Sequence, residues 1–145
     1  MANRGAILRE SKNLKKGFEM EVYGRFWVKE SGKNYLGLGR VDLLRGIAQT
    51  GSISQSAKAM KMSYKAAWDN IDAINNLSDL PLVERFIGGR GGSGTTLTKD
   101  GKMAIEAFDE LMSAKEAFCK YFRDTNDLAE LKSRAIKLRE LIEGD

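Results

Sequence analysis

Two helix-start signals, separated by little more than one short helix, constrain this chain more than anything else in it. Ser52 and Gln55 have capping-box spacing, in which the serine oxygen accepts from a first-turn amide and the glutamine side chain reaches back. The helix they open is expected to run from about Ile53 to Met60. Lys61-Met62 is too short for anything but a turn, and Ser63 then caps a second helix whose Ala67, Ile71, Ile74 and Leu77 recur at helical spacing. Asn75-Asn76 and Asp79 to Pro81 close it. A helix of about two turns followed so quickly by another is a helix-turn-helix arrangement, which αα-corners without a nucleic-acid role also show.

The flanking segments complete a recognisable unit. Before it, from Arg40, Val41, Leu44, Ile47 and Ala48 form one apolar helical face, and Gly51 is placed to end that helix in the left-handed conformation. After it, Leu82 to Ile87 and Thr95 to Leu97 read as short strands joined by the glycine-rich tip Gly88 to Gly94, a β-wing. Thr98, with Asp100 in the first turn, starts a long helix carrying Ala104, Phe108, Leu111, Phe118 and Phe122. Asp124 to Asn126 interrupt it, and Leu128, Leu131, Ala135, Leu138 and Ile142 then follow a heptad pattern.

Nearer the N-terminus the period is two. Phe18, Met20, Val22, Phe26 and Val28 alternate with polar neighbours and predict a strand, with Gly24 as a possible bulge and a turn at Glu30 to Lys33 into Asn34-Tyr35-Leu36. The expected fold is mainly α with small β hairpins: a winged helix-turn-helix with an N-terminal β-hairpin and a long C-terminal dimerisation helix. The expected organisation is a basic flexible tail over 1–16, the winged domain over 17–124 with its hairpin at 17–38, and a C-terminal helix over 125–145 that mediates dimerisation.

Composition narrows the chemistry. The chain has no histidine and a single cysteine, Cys119, so His-dependent catalysis, the common zinc-ligand sets and an internal disulfide are all excluded. No motif pairs carboxylates, and the glycine run lacks the GxxxxGK[ST] of a phosphate loop. The expectation is a protein that is not an enzyme and needs no cofactor. No apolar run suits a signal segment or a membrane span, which predicts a cytoplasmic location. The net charge is +4, with ten basic against five acidic residues in 1–50, six against five in 51–100 and eight against ten in 101–145. Any polyanion-binding face therefore draws on the N-terminal and central parts.

The second helix of the pair is the candidate recognition element, since a helix fits the major groove and its N-terminal turns lead. With Ala67, Ile71 and Ile74 turned inward, Ser63, Tyr64, Lys65, Trp68 and Asp69 occupy the outward side and flanks. Ser63 and the first amides suit a phosphate, Lys65 a phosphate or guanine, and Tyr64 and Trp68 sugar, phosphate or thymine methyls. The alternative for Tyr64 and Trp68, an i,i+4 pair, is that they seal the edge of the core. Ser52, Ser54 and Gln55 at the start of the first helix, Arg90 in the wing tip and Lys99 at the start of the long helix complete the expected DNA-binding set.

The run GSISQSAKAMKMSYKAAWDNIDAINNL, followed by PLVER, GGRGGSG and LTKDG, resembles the DNA-binding domain of the molybdate-responsive ModE regulators over about residues 39–122. More distantly it resembles the LysR-type domain. The resemblance implies a sequence-specific regulator that binds double-stranded DNA as a homodimer through its long helices. It departs in two places: residues 18–36 read as a hairpin where ModE proper is helical, and the sequence ends at Asp145 without molybdate-binding domains, so molybdate binding is not expected. A winged-helix adaptor that binds protein rather than DNA is the alternative.

Overall fold

The computed structural model describes residues 19–88 and 92–144. The expected tail at 1–16 and strand residue Phe18, together with Arg90, lie outside them. The described residues fall into two compact units, one of residues 25–113 and one that joins residues 19–24 to 114–144.

The first unit opens with a hairpin, β1 (Val28–Glu30) and β2 (Lys33–Leu36), paired antiparallel with an irregularity between Val28 and Lys29. Ser31 and Gly32 both have positive φ, 50° and 75°, the geometry of a two-residue turn whose twist matches the strands. The turn lies where the sequence predicts it, but the strand is much shorter than its alternation suggests. Residues 19–27 are not in a strand, and Phe26 and Trp27 are exposed. The physical reason is pairing: β2 has four residues and is matched by Val28–Glu30, so the alternating segment before them has no strand beside it with which to build a ladder.

Helix α1 (Leu38–Thr50) begins two residues ahead of the expected Arg40 and ends as predicted at Gly51, with φ of 68° and its N–H donating to the Ile47 carbonyl at 2.8 Å. It buries Val41, Leu43, Leu44 and Ile47. Ala48, expected inside, is exposed. At about 100° per residue Leu43 and Ala48 lie equally far to either side of a stripe centred between Leu44 and Ile47, so the elements packed against the helix, not its periodicity, decide which of the two is covered.

Helix α2 (Ile53–Ala59) is capped by Ser52, whose Oγ accepts from the Gln55 amide at 3.1 Å. Only half of the expected box forms, because the Ser52 amide donates to Thr50 Oγ1 at 3.2 Å, so the return bond expected from Gln55 is made by Thr50 instead. The turn that follows is compact: Lys61 takes a left-handed φ of 57°, and the Met62 amide donates back to the Ala57 carbonyl at 3.0 Å. Helix α3 (Tyr64–Leu77) starts with Ser63 Oγ accepting from the Ala66 amide at 3.0 Å and buries Ala67, Ile71 and Ile74, while Leu77 is half-buried.

The wing is β3 (Val83–Phe86) paired antiparallel with β4 (Gly94–Leu97). Thr98 joins it to α4 (Lys99–Tyr121): its hydroxyl accepts from the Gly101 amide at 3.0 Å and donates to the Pro81 carbonyl at 2.7 Å. Gly101 lies so close to the wing that an added Cβ would sit 2.1 Å from the Leu82 carbonyl oxygen. The winged helix-turn-helix is therefore the fold of this unit. Its core joins all these elements, from Leu36 and Val41 through Ile71 and Leu97 to Phe108. Each large apolar side chain sealed there contributes about 1.5–3 kcal/mol of transfer free energy.

The second unit is held differently. Met20 pairs with Thr125 as an isolated bridge, its amide donating to the Thr125 carbonyl at 2.8 Å, and Thr125 itself is fully buried. Phe122 is buried with the Phe118 and Tyr121 rings each 5.3 Å from its own. Helix α5 (Leu128–Glu143) is capped by Asp127, whose Oδ1 accepts from the Glu130 amide at 2.8 Å. Arg134 donates from α5 to the carbonyls of Tyr121 at 3.0 Å and Arg123 at 2.7 Å, satisfying acceptors that the end of α4 leaves free. No residue of α5 is buried.

Candidate nucleic-acid interface

The first turns of α3 are presented outward because its inward side is consumed by the core. Ser63, Tyr64, Lys65 and Asp69 are exposed, and Trp68 is half-buried against the core. Trp68 therefore seals the core edge with part of its ring system and leaves the rest exposed. Tyr64, 49% exposed, stands edge-to-face on Trp68 with ring centroids 6.1 Å apart.

The wing adds a residue that the sequence reading passed over. In a strand, residues two apart share a face, so Arg85 lies on the side of buried Val83 and faces α3. Its guanidinium carbon sits 4.3 Å from the centroid of the Trp68 ring, and Nη2 reaches the Tyr64 hydroxyl at 3.5 Å. Beside this stack a cavity of about 410 Å³ is lined by Gly51, Ser52, Ile53, Ser54, Tyr64, Arg85 and the facing ends of the wing strands. The only sequence signal for Arg85 is its period-two relation to Val83, which becomes informative once the strand's partner helix is known.

Lys65 and Asp69 form an i,i+4 ion pair at 2.7 Å, with side chains 84% and 62% exposed. The hydrogen bond to Asp69, with its charge, raises the Lys65 pKa above the usual lysine range. An ion pair this exposed is weakly held.

The hairpin and the wing brace α3 from two directions. Arg40 donates from Nε to Asn70 Oδ1 at 2.9 Å and from Nη1 to the Asn34 and Tyr35 carbonyls, while the Tyr35 hydroxyl meets Ser78 Oγ at 2.6 Å. Asn75 accepts at Oδ1 from the Leu82 and Val83 amides at 2.9 and 3.2 Å and donates from Nδ2 to the Val83 carbonyl at 3.1 Å. Helix and wing strand are therefore held in a fixed relation.

Residues 38–102 match the family described as bacterial regulatory helix-turn-helix protein, lysR family. Over 77 residues, 53% of this chain, the sequence is 47% identical to the transcriptional regulator ModE of Haemophilus influenzae, covering 30% of that protein. It is 48% identical over 77 residues to the DNA-binding transcriptional dual regulator ModE of Escherichia coli strain K12, covering 29% of it. Over these residues the chain is similar to the helix-turn-helix segment of ModE and to the LysR-type family. The chain matches less than a third of the length of these two relatives. A crystal structure of a MarR family transcription regulator aligns over 98% of this chain and 87% of its own, at 18% identity and a TM-score of 0.48, a likeness too loose to assign anything.

Within the matched segment the sequence-predicted residues form two groups. Ser52 and Ser54 share the cavity with Tyr64, and Ser63, Lys65, Trp68 and Asp69 lie along the start of α3. Gln55 is exposed on α2, and Lys99 is exposed at the start of α4, apart from the residues lining the cavity. Among the described residues no cluster of three or more His, Cys, Asp or Glu is placed to hold a metal ion, and no helix is long and apolar enough to cross a membrane.

Proposed function

We propose that the chain is a sequence-specific DNA-binding transcriptional regulator, with α3 in the major groove and the wing on the backbone or in the minor groove. The observation that carries this reading is the outward start of α3. In a domain nearly half identical to ModE, it offers Tyr64 and Lys65 beside wing residue Arg85 instead of burying them. Helix N-termini favour anions, and cationic and aromatic side chains around one suit phosphate, sugar and base edges. The protein acts as a homodimer, because the exposed apolar side chains of α5 suit a second copy and two half-sites double the contacts. It works in the cytoplasm as a binding protein without a catalytic residue, and molybdate sensing is not part of this reading.

Selection of bound duplexes from a random pool, with sedimentation of the free protein, tests the proposal. A palindromic consensus, affinity that falls steeply with salt and a dimeric mass are the expected results. A pool that shows no enrichment, with a partner protein captured at high salt, decides for the adaptor reading instead.

A further inference from the structure

We propose that Arg85 is the wing's phosphate-binding residue and that Trp68 positions it rather than reading DNA itself; this rests on the DNA-binding reading above. The Trp68 ring, expected from sequence to touch the nucleic acid, carries the Arg85 guanidinium at 4.3 Å from its centroid. Its neighbouring edge is occupied by Tyr64, whose hydroxyl also lies 3.5 Å from Arg85 Nη2. A guanidinium over an aromatic ring still presents its N–H groups in the plane of the fork, and apart from the long Nη2 contact with Tyr64 that fork can meet two oxygens of one anion. Stacking also fixes the side chain before a ligand arrives, which lowers the ordering cost on binding.

The surroundings favour a phosphodiester over a base edge. The cavity next to Arg85 is walled by the hydroxyl-bearing Ser52, Ser54 and Tyr64. Ser52 Oγ accepts from the Gln55 amide, which leaves its proton to donate. Hydroxyl-bearing residues beside a cation suit the several acceptor oxygens of a tetrahedral group. Among the described residues no acidic side chain lines this cavity, whereas Lys65 is engaged by Asp69. Arg85 is thus the cation of this face that is held ready by an aromatic platform instead of by a carboxylate.

The test uses the full chain and duplexes enriched from a random pool, titrated by fluorescence anisotropy across a salt series. Arg85→Ala is expected to weaken binding about tenfold on every duplex alike and to lower the slope of log affinity against log salt by about one. Arg85→Lys, which keeps the charge but not the planar stack, should restore the slope and only part of the affinity. Trp68→Leu should weaken binding in the wild-type background and add nothing in the Arg85→Ala background, the signature of one residue acting through another. Additive losses, an unchanged salt slope, or a loss confined to one base position would overturn the proposal. Trp68 contributes to the core edge, so thermal unfolding is followed alongside, and the exposed Arg85 variants carry the test if Trp68→Leu fails to fold. Wild-type protein with no affinity for any duplex overturns the DNA reading itself, whereas tight wild-type binding left unchanged by Arg85→Ala overturns only the role of Arg85.

Discussion

Helices α3 and α5 have similar lengths, 14 and 16 residues, and both carry apolar side chains at helical spacing. Their fates differ: α3 seals Ala67, Ile71 and Ile74 in a core, while α5 buries nothing and leaves Leu128, Leu141 and Ile142 more than 70% exposed. Periodicity specifies that a face is apolar, and only the neighbouring elements decide whether it is covered. Since α3 has spent its apolar side at home, what it offers outward is polar, cationic and aromatic. On α5 the unspent side is the apolar one, so the partners suited to the two helices are chemically opposite.

The largest effect that can break this contrast lies in the core that α3 shares. Phe108 is 1% exposed, and Phe108→Ala should destabilise the protein by about 3–5 kcal/mol in urea unfolding. A loss under about 1 kcal/mol would mean that this core is as loosely filled as the α5 face. Next is Gly101→Ala, whose new methyl would meet the Leu82 carbonyl at 2.1 Å, an oxygen already accepting from the Thr98 amide at 3.0 Å. A cost of about 2–3 kcal/mol is expected, with the wing base displaced as seen in amide hydrogen exchange.

On α5 the expected outcome reverses. Ile142→Glu should leave the unfolding of dilute protein within about 0.5 kcal/mol of wild type, yet shift the sedimenting species toward monomer. A large stability loss in dilute solution, without a change in mass, would show that this face is covered within the chain. The smallest effect concerns Asp109, whose carboxyl Arg45 holds below its ordinary pKa chiefly through their hydrogen bond. A carboxyl depressed in the folded state stabilises the protein above its unfolded pKa and loses that contribution as pH falls through the folded one. Asp109→Asn should therefore flatten the acid limb of a melting-temperature profile slightly and leave the neutral region nearly unchanged, since the pair is solvent-exposed.

What could be read from the sequence follows the same logic. Local chemistry at Gly51, Ser52, Ser63 and Thr98 fixes where helices begin and end, and each acts in the structure as its residue type requires. The segment before Val28 was misread because alternation describes one strand, whereas a ladder needs two. Arg85 was missed for a related reason: its role depends on a helix some twenty residues earlier in the chain facing its side of the wing. The outward residues of α3 were legible because they needed only the helix's own geometry. Ser54, Gln55 and Lys99 rest on that reasoning alone, and duplex binding by their alanine variants is the measure of it.

Asn75 ties the helix to the wing. By accepting from the Leu82 and Val83 amides and donating to the Val83 carbonyl, one side chain of α3 holds the root of the wing through three hydrogen bonds. A rotation of α3 therefore carries the base of the wing with it, and the two cannot be tuned separately. If the chain reads DNA as proposed, a displacement of α3 would move the recognition helix and the wing root together.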